Sequence, residues 1–235
     1  MKISLCIPMY NESSIIDRTL KTVSEYMAAN FDDYEVIFSD DGSTDGCRNA
    51  VESFADSRIR AVGYEVNRGK GAAIRNGVLN AVGDIIVFTD CDLAYGLDVV
   101  KGVAKMFQKT PDADVIIGSR NLTKDGYGGY TLLRKLASKA YIKCLCLAAG
   151  FKLSDSQCGF KAFRKEMAHK VFSECVVDGF AFDFEVLIKA RNMGAVICEM
   201  PVRVVNHRDS KVKVFKDSRK MLRDVRMIKK NNRVK

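Results

Sequence analysis

Short apolar runs alternating with amphipathic stretches constrain this chain more than any other feature of its sequence. Residues 3–8 read as a strand, and residues 13–29 as a helix with Ile15, Ile16, Leu20, Val23 and Met27 at spacings of three and four. The same alternation continues with a strand over 34–38, a helix over 46–54, a strand over 59–64 and a helix over 71–82. A buried strand over 84–89, rich in Ile and Val, a helix over 97–109 and a strand over 115–118 close this half. Strands separated by single helices predict an α/β fold, with a mostly parallel central sheet, right-handed crossovers and ligands bound beyond the carboxyl ends of strands. The second half is less regular: a helix over 130–149, a strand near 159–163, a helix over 182–193 and a last strand over 195–205. With 235 residues and no repeat or linker, one large domain fits better than two.

Three polar clusters fall at predicted carboxyl ends, where one ligand can touch all of them. Asp90-Cys91-Asp92 follows a buried strand, and strand alternation sends both carboxylates to one side. Two hard oxygen ligands on one face suit Mg²⁺ or Mn²⁺, which in turn holds a diphosphate. A polar turn closing a strand would also carry such acids, so the pair gains weight from its neighbours. Asp40 to Asp45 holds two acids before Gly42, where helix capping would explain only Ser43 or Asp45. Residues 67–77, with Gly69, Lys70, Gly71 and Arg75, open a helix with glycines and cations, an anion-binding arrangement. The glycine spacing is neither that of a dinucleotide fingerprint nor that of a Walker A loop.

Charge is distributed unevenly. Residues 203–235 hold thirteen Lys plus Arg and three Asp, so the whole +9 surplus of the chain lies there, and the remainder is slightly acidic. A nucleic-acid reader is thereby disfavoured, since no groove-reading motif accompanies the basic end. Val214, Ser218, Met221, Val225 and Ile228 share one helical face there while Arg219, Arg223, Arg226 and Lys230 lie largely off it, which predicts a basic amphipathic helix over 214–235 suited to an anionic bilayer surface. The longest run free of Asp, Glu, Lys and Arg is nine residues, residues 3–11, against roughly 20 for a spanning helix. Neither a transmembrane helix nor a signal peptide is expected, which points to the cytoplasmic face of a membrane. The eight cysteines form no CxxC pair and read as small buried hydrophobes in a reducing compartment.

Taken in order, the segments CIPMYNE (6–12), SDDGSTDG (39–46), NRGKGAAIRNG (67–77) and FTDCDLA (88–94) resemble the inverting nucleotide-sugar transferases of glycosyltransferase family 2, which have the GT-A fold. Gly118-Ser119-Arg120, DSQCGFK (155–161) and FDFEVL (182–187) narrow the resemblance to the polyprenyl-phosphate sugar synthases, and within them to the dolichyl-phosphate glucosyltransferase-like branch. That resemblance implies a GT-A domain over 1–213 with the basic helix as its tail. It implies that Pro8, Tyr10, Glu12 and Asp41 line a nucleoside pocket, that Lys70 joins the donor site, and that Asp90 and Asp92 flank metal and diphosphate. Arg120, Arg134 and Ser138 match positions that face the lipid phosphate, and Arg134 and Ser138 share a predicted helical face. Asp155 matches an acid near the acceptor, so Asp92 and Asp155 are the catalytic candidates. Asp183 and Glu185 divide evenly between site and structure. His207 and Lys211 fall in a loop that resembles one closing over the diphosphate. Where the mannose synthases often carry Gln, this chain has Ala94, which favours a UDP-sugar over a GDP-sugar donor.

The implied reaction moves a hexose, glucose favoured, to a polyprenyl phosphate with a divalent metal. A phosphate monoester is already largely anionic at neutral pH, so no strong general base is required. The rival is a soluble family 2 transferase acting on a sugar or protein hydroxyl, which would need a true base, with Asp155 or Asp183 as candidates. Oligomeric state is not legible in the sequence.

Overall fold

The computed structural model describes residues 1–206, except 133, 134, 137, 140, 141, 144, 145 and 147–149, together with 224, 225, 227 and 228. Seven strands, β1 (Ile3–Met9), β2 (Tyr34–Asp41), β3 (Ile59–Tyr64), β4 (Ile85–Phe88), β5 (Val115–Ser119), β6 (Lys161–Arg164) and β7 (Ile197–Pro201), form one sheet in the order β3-β2-β1-β4-β6-β5-β7. β3, β2, β1 and β4 run parallel, as do β5 and β7, whereas β6 is antiparallel to both of its neighbours. The start of β6 therefore lies at the edge where its neighbours end.

Strand residues alternate between two apolar layers. Leu5, Val36, Phe38 and Val87 face α1 (Ile16–Asn30), α2 (Cys47–Glu52) and α4 (Asp98–Lys109), while Cys6, Ile37, Ile86 and Phe88 face α3 (Lys70–Leu79), α5 (Lys165–Glu174) and α6 (Phe182–Asn192). A sheet covered on both faces is what near-continuous apolar strands require. In α1 the predicted spacing puts Leu20, Val23 and Met27 at no more than 1% exposure, each worth roughly 1.5–3 kcal/mol of burial. The helix starts three residues later than expected, because the Ser13 amide donates to Asp45 Oδ2 (2.7 Å) and the Ile15 and Ile16 amides close a turn on the Glu12 carbonyl. β2 runs on to Asp41 through its pairing with β3, so Asp40 and Asp41 are strand residues rather than turn residues. Helix α5 fills a stretch with no assignment in the sequence pattern; its buried stripe is only Ala168, Val171 and Phe172.

Residues 132, 135, 136, 138, 139, 142, 143 and 146 are helical, within the helix expected over 130–149. At the basic end, Asp224, Val225, Met227 and Ile228 are helical, and Val225 (7% exposed) and Ile228 (2%) pack into the layer containing Phe172 and Phe182. For these two positions the expected bilayer-facing stripe is corrected: their apolar surface is spent on the domain itself. Val214, Ser218 and Met221 lie outside the described residues. Among the described residues, no helix is long and apolar enough to cross a membrane, and the seven described cysteines are free thiols, six of them buried.

Candidate active site

The carboxyl ends of β1, β2 and β4 bring the first motifs together by hydrogen bonds that the motifs themselves supply. The Asn11 amide donates to Ser43 Oγ (3.0 Å), the Thr44 amide to Asn11 Oδ1 (2.9 Å) and the Ser13 amide to Asp45. Asn11 sits at φ 51°, a left-handed conformation that Asn tolerates well. The amides of Ser13 and Cys47 on its carboxylate hold Asp45 down at about 2, outweighing the opposing effect of desolvation. Pro8 and Glu12 are half-buried at this edge and Tyr10 is 41% exposed.

Asp41 has a different duty from the one the resemblance implies. Only 3% exposed, its carboxylate accepts from Tyr64 Oη (2.6 Å), Asn67 Nδ2 (2.8 Å) and the amides of Arg68 and Gly69 (2.9–3.0 Å). A carboxylate so engaged organises the 64–69 loop and has no capacity left for a base. The opening of α3 also departs from the expected anion cradle. Its Gly71 and Ala72 amides donate to the Asp178 carbonyl, and the Asp178 carboxylate pairs with Arg68 (3.4 Å) and Arg75 (2.6 Å). At Gly71 a Cβ would come within 2.5 Å of the Val177 carbonyl oxygen, so this helix–loop contact demands glycine. Of the cations in that motif only Lys70 enters the site, where its Nζ lies 2.5 Å from Asp90 Oδ1.

Asp90 and Asp92 flank a turn with Leu93 at φ 51°. Asp92 Oδ1 accepts the Ala94 amide (3.0 Å), and burial, then the charge of Asp90, push its carboxyl above the usual carboxylate range. Burial draws Lys70 down, but Asp90 and Asp183 together raise it above the ordinary lysine value. Two carboxylates that repel each other at a half-open edge fit a divalent cation. Among the described residues no group of three or more His, Cys, Asp or Glu side chains could hold one, so a metal here would take two protein oxygens and fill its shell from diphosphate and water, the habit of Mg²⁺ and Mn²⁺.

The sequence motifs do not reveal the residues that hold this pair in place. Asp90 rests against Gly159, two residues before β6, where any Cβ would collide with the carboxylate. We expect Gly159→Ala to displace Asp90, cost about 1–3 kcal/mol and weaken donor binding that depends on metal; equal metal dependence of donor affinity in calorimetric titrations of wild type and variant would rule this out. From the other side, the Val205 amide donates to the Ala94 carbonyl (2.8 Å) and Asn206 Nδ2 to the Leu93 carbonyl (2.9 Å). The strap thus formed leads to His207 and Lys211, which lie outside the described residues.

Beyond β5 the structure joins two residues to which the resemblance gives separate roles. Asp155, fully buried, takes Arg120 in a two-pronged pair, Nε to Oδ2 at 2.7 Å and a terminal guanidinium nitrogen to Oδ1 at 2.9 Å, and also accepts the Arg120 amide. The assignment of Asp155 as a catalytic residue is therefore corrected: no substrate reaches its oxygens, and it positions Arg120. Glu199 on β7, unremarked in the sequence, accepts the amides of Ser154 and Asp155 and the Ser154 hydroxyl (2.7 Å), fixing the loop that carries this acid. Asp183 is likewise engaged, in a buried ion pair with fully buried Lys161, and Glu185 accepts the amides of Val176 and Val177. Glu185 is thus structural.

The Arg120 guanidinium lies 5.0 Å from the centre of the Tyr127 ring, with Lys135 and Lys139 Nζ at 5.8 and 5.7 Å from the same point. Beside it a cavity of about 470 Å³ is lined by Asn121, Lys139 and Lys143 on its polar side and by Ile142, Phe151 and Leu153 on its apolar side. Among the described residues, none of these three lysines meets a carboxylate. Ser138, half-buried, is on the same helical segment; Arg134 lies outside the described residues.

An open α/β sheet whose carboxyl edge gathers a DxD pair, a lysine and an acidic loop has the architecture of a GT-A nucleotide-sugar transferase. Residues 4–172 match the family described as Glycosyl transferase family 2, and the chain belongs to that family. It is 32% identical over 243 residues to a dolichyl-phosphate beta-glucosyltransferase of Drosophila melanogaster, covering 97% of this chain and 74% of that one. A dolichyl-phosphate beta-glucosyltransferase of Dictyostelium discoideum is 29% identical, over 95% of this chain and 72% of its own length. Among solved structures, glucosyl-3-phosphoglycerate synthase of Mycobacterium tuberculosis in complex with Mn²⁺, UDP and glucosyl-3-phosphoglycerate superposes with a TM-score of 0.71 at 21% identity, over 97% of this chain and 79% of that one. Mannosyl-3-phosphoglycerate synthase of Rubrobacter xylanophilus gives 0.73 at 16% identity, over 100% of this chain and 76% of that one. At such identities these two likenesses concern the fold.

Proposed function

We propose that this chain transfers a hexose, with glucose favoured, from a UDP-sugar to a polyprenyl phosphate, with inversion, at an anionic membrane surface. The observation that carries this reading is the state of the two acids that could serve as a general base. Asp155 is sealed against Arg120 and Asp183 against Lys161, so neither is available to take a proton from a sugar or protein hydroxyl. A phosphate oxygen needs no such help. The names of the family relatives, which are dolichyl-phosphate glucosyltransferases, agree with this choice over the soluble alternative.

In this mechanism Pro8, Tyr10 and Glu12 border the nucleoside while Asp41 holds the loop that shapes the donor cleft. Asp90 and Asp92 would hold the divalent ion, Mg²⁺ or Mn²⁺, which supplies neutralisation of charge on the departing diphosphate. Lys70 adds a positive charge there. Arg120, Lys135 and Lys139 around Tyr127 make the potential positive where an anionic acceptor head must sit, Ser138 and Arg134 are proposed as its further ligands, and the apolar wall at Ile142, Phe151 and Leu153 suits its first isoprenoid units. Catalysis then consists of aligning an oxygen that is already anionic with the anomeric carbon, and of excluding water. His207 and Lys211, which follow the strap in the sequence, join as diphosphate ligands. With Val225 and Ile228 committed to the core, membrane attraction rests on the cations of residues 203–235, at roughly 1 kcal/mol for each one well placed at the surface.

A thermal-shift comparison of UDP- and GDP-sugars, each with and without Mn²⁺, tests the donor half. Stabilisation confined to UDP-sugars and enlarged by Mn²⁺ supports the reading; stabilisation by GDP-sugars alone would reassign the donor.

A further inference from the structure

The Asp90 carboxylate has a cation supplied by the chain itself. Lys70 Nζ sits 2.5 Å from Oδ1, while Oδ2 lies against Gly159, where a Cβ would collide with it. A divalent ion that takes Asp90 Oδ1 meets this lysine there. The backbone of Lys70 is anchored, since the amides of the next two residues are bound to the Asp178 carbonyl, but its side chain is 24% exposed and can swing. Beneath lies a second charge pair that is not exposed at all on its basic side: Lys161 at 0% and Asp183 at 6%, with Lys161 also donating to the Cys158 carbonyl (2.6 Å). Charges thus alternate inward from the cleft: Asp92 and Asp90, then Lys70, then Asp183, then Lys161. The inner pair, buried and doubly bonded, is the fixed part, and Lys70 the movable one.

We infer that Lys70 is an exchangeable placeholder for the divalent cation: it neutralises Asp90 in the empty site, leaves it when the metal binds, and passes to the donor's diphosphate. The inference rests on the metal and diphosphate reading of this same site and adds a linkage to it. Metal alone binds against a resident cation, whereas metal with a nucleoside diphosphate gives the displaced lysine a new anionic partner. The two ligands therefore favour each other beyond their direct contact, and the coupling is reciprocal. The Asp183–Lys161 pair positions the lysine and touches neither ligand.

Mn²⁺ binding to the full chain, followed by the paramagnetic resonance signal of free Mn²⁺ with and without UDP, tests this without any turnover. Lys70→Met should tighten Mn²⁺ binding in the absence of UDP by roughly tenfold, the value of one charge-assisted bond to a carboxylate. UDP should bind the same variant more weakly at saturating Mn²⁺, and Lys70→Arg should keep the wild-type weakness toward Mn²⁺ alone. Lys70→Gln, uncharged but polar, gives the same reading should the methionine variant not fold. Mn²⁺ affinity unchanged or reduced in both uncharged variants overturns the placeholder. Asp92→Asn separates the two levels: if it leaves Mn²⁺ binding intact, the metal reading falls and the placeholder with it; if it weakens Mn²⁺ while Lys70→Met does nothing, only the placeholder falls.

Discussion

Asp155→Ala should lower the stability of the fold by about 3–5 kcal/mol, because it strands a buried guanidinium whose principal hydrogen bonds go to that carboxylate. For a chain of this size the melting temperature should fall by roughly 6 to 20 °C. Arg120 keeps its contact with the Tyr127 ring, which offsets a small part of the loss. Replacing both partners by apolar residues, Arg120→Met with Asp155→Leu, should recover most of the stability, since the double variant leaves no uncompensated charge. It should not recover full transfer to a phosphate acceptor, because the Arg120 guanidinium beside Tyr127 is gone and Lys135 and Lys139 are left to hold the acceptor. Calorimetric melting curves of the three proteins decide the matter: a single-variant loss below about 1 kcal/mol would mean that the pair is solvated and that Asp155 is accessible after all.

Asp92→Asn should behave in the opposite way, harmless to the fold and severe for donor binding. The substitution conserves volume and leaves an oxygen for the Ala94 amide. Its sign on stability follows from the titration. Asp92 has a folded value raised by burial and by Asp90, so the ionised form weakens the empty protein as pH rises past the unfolded value near 4. A neutral amide removes that strain, and the empty variant should melt no lower than wild type at neutral pH. What disappears is the added stability from donor with Mn²⁺, about 2.7 kcal/mol at a donor concentration a hundred times its Kd. Turnover should fall on the order of a hundredfold or more as charge neutralisation of the leaving group is lost. Equal donor-induced shifts in wild type and Asp92→Asn, measured with Mn²⁺ present, would remove the metal from the site.

The two halves of the fold were not equally legible. β1, β3 and α4 could be read to within a residue or two because their burial patterns are local: Val100, Val103, Ala104 and Phe107 repeat at helical spacing whatever surrounds them. The antiparallel course of β6 could not, since four residues carry no mark of direction and the pairing of Phe88 with Lys161 is set by tertiary contact. Helix α5 escaped because two large buried side chains make too short a stripe. In the site, the DxD pair was legible because acids that directly follow a buried strand can point only to its carboxyl edge. The partnerships of those and other acids were not. Arg120 and Asp155 are 35 positions apart, Lys161 and Asp183 22 apart, and Glu199 reaches back to Ser154 across 45. A carboxylate's role depends on whether a cation has closed over it, and spacing does not report that. The same limit applies to the basic end, where a single apolar face is equally compatible with a bilayer and with the core that receives Val225 and Ile228.

Transfer of labelled hexose from a UDP-sugar into material extractable by organic solvent, with a polyprenyl phosphate as acceptor and Mg²⁺ or Mn²⁺ present, tests the central claim most directly. The expected result is label in an acid-labile lipid phosphate sugar, dependent on the divalent ion, and none on a free polyprenol that lacks the phosphate. Label that stays in the aqueous phase, on a sugar or protein hydroxyl, while the polyprenyl phosphate remains unmodified, would contradict it.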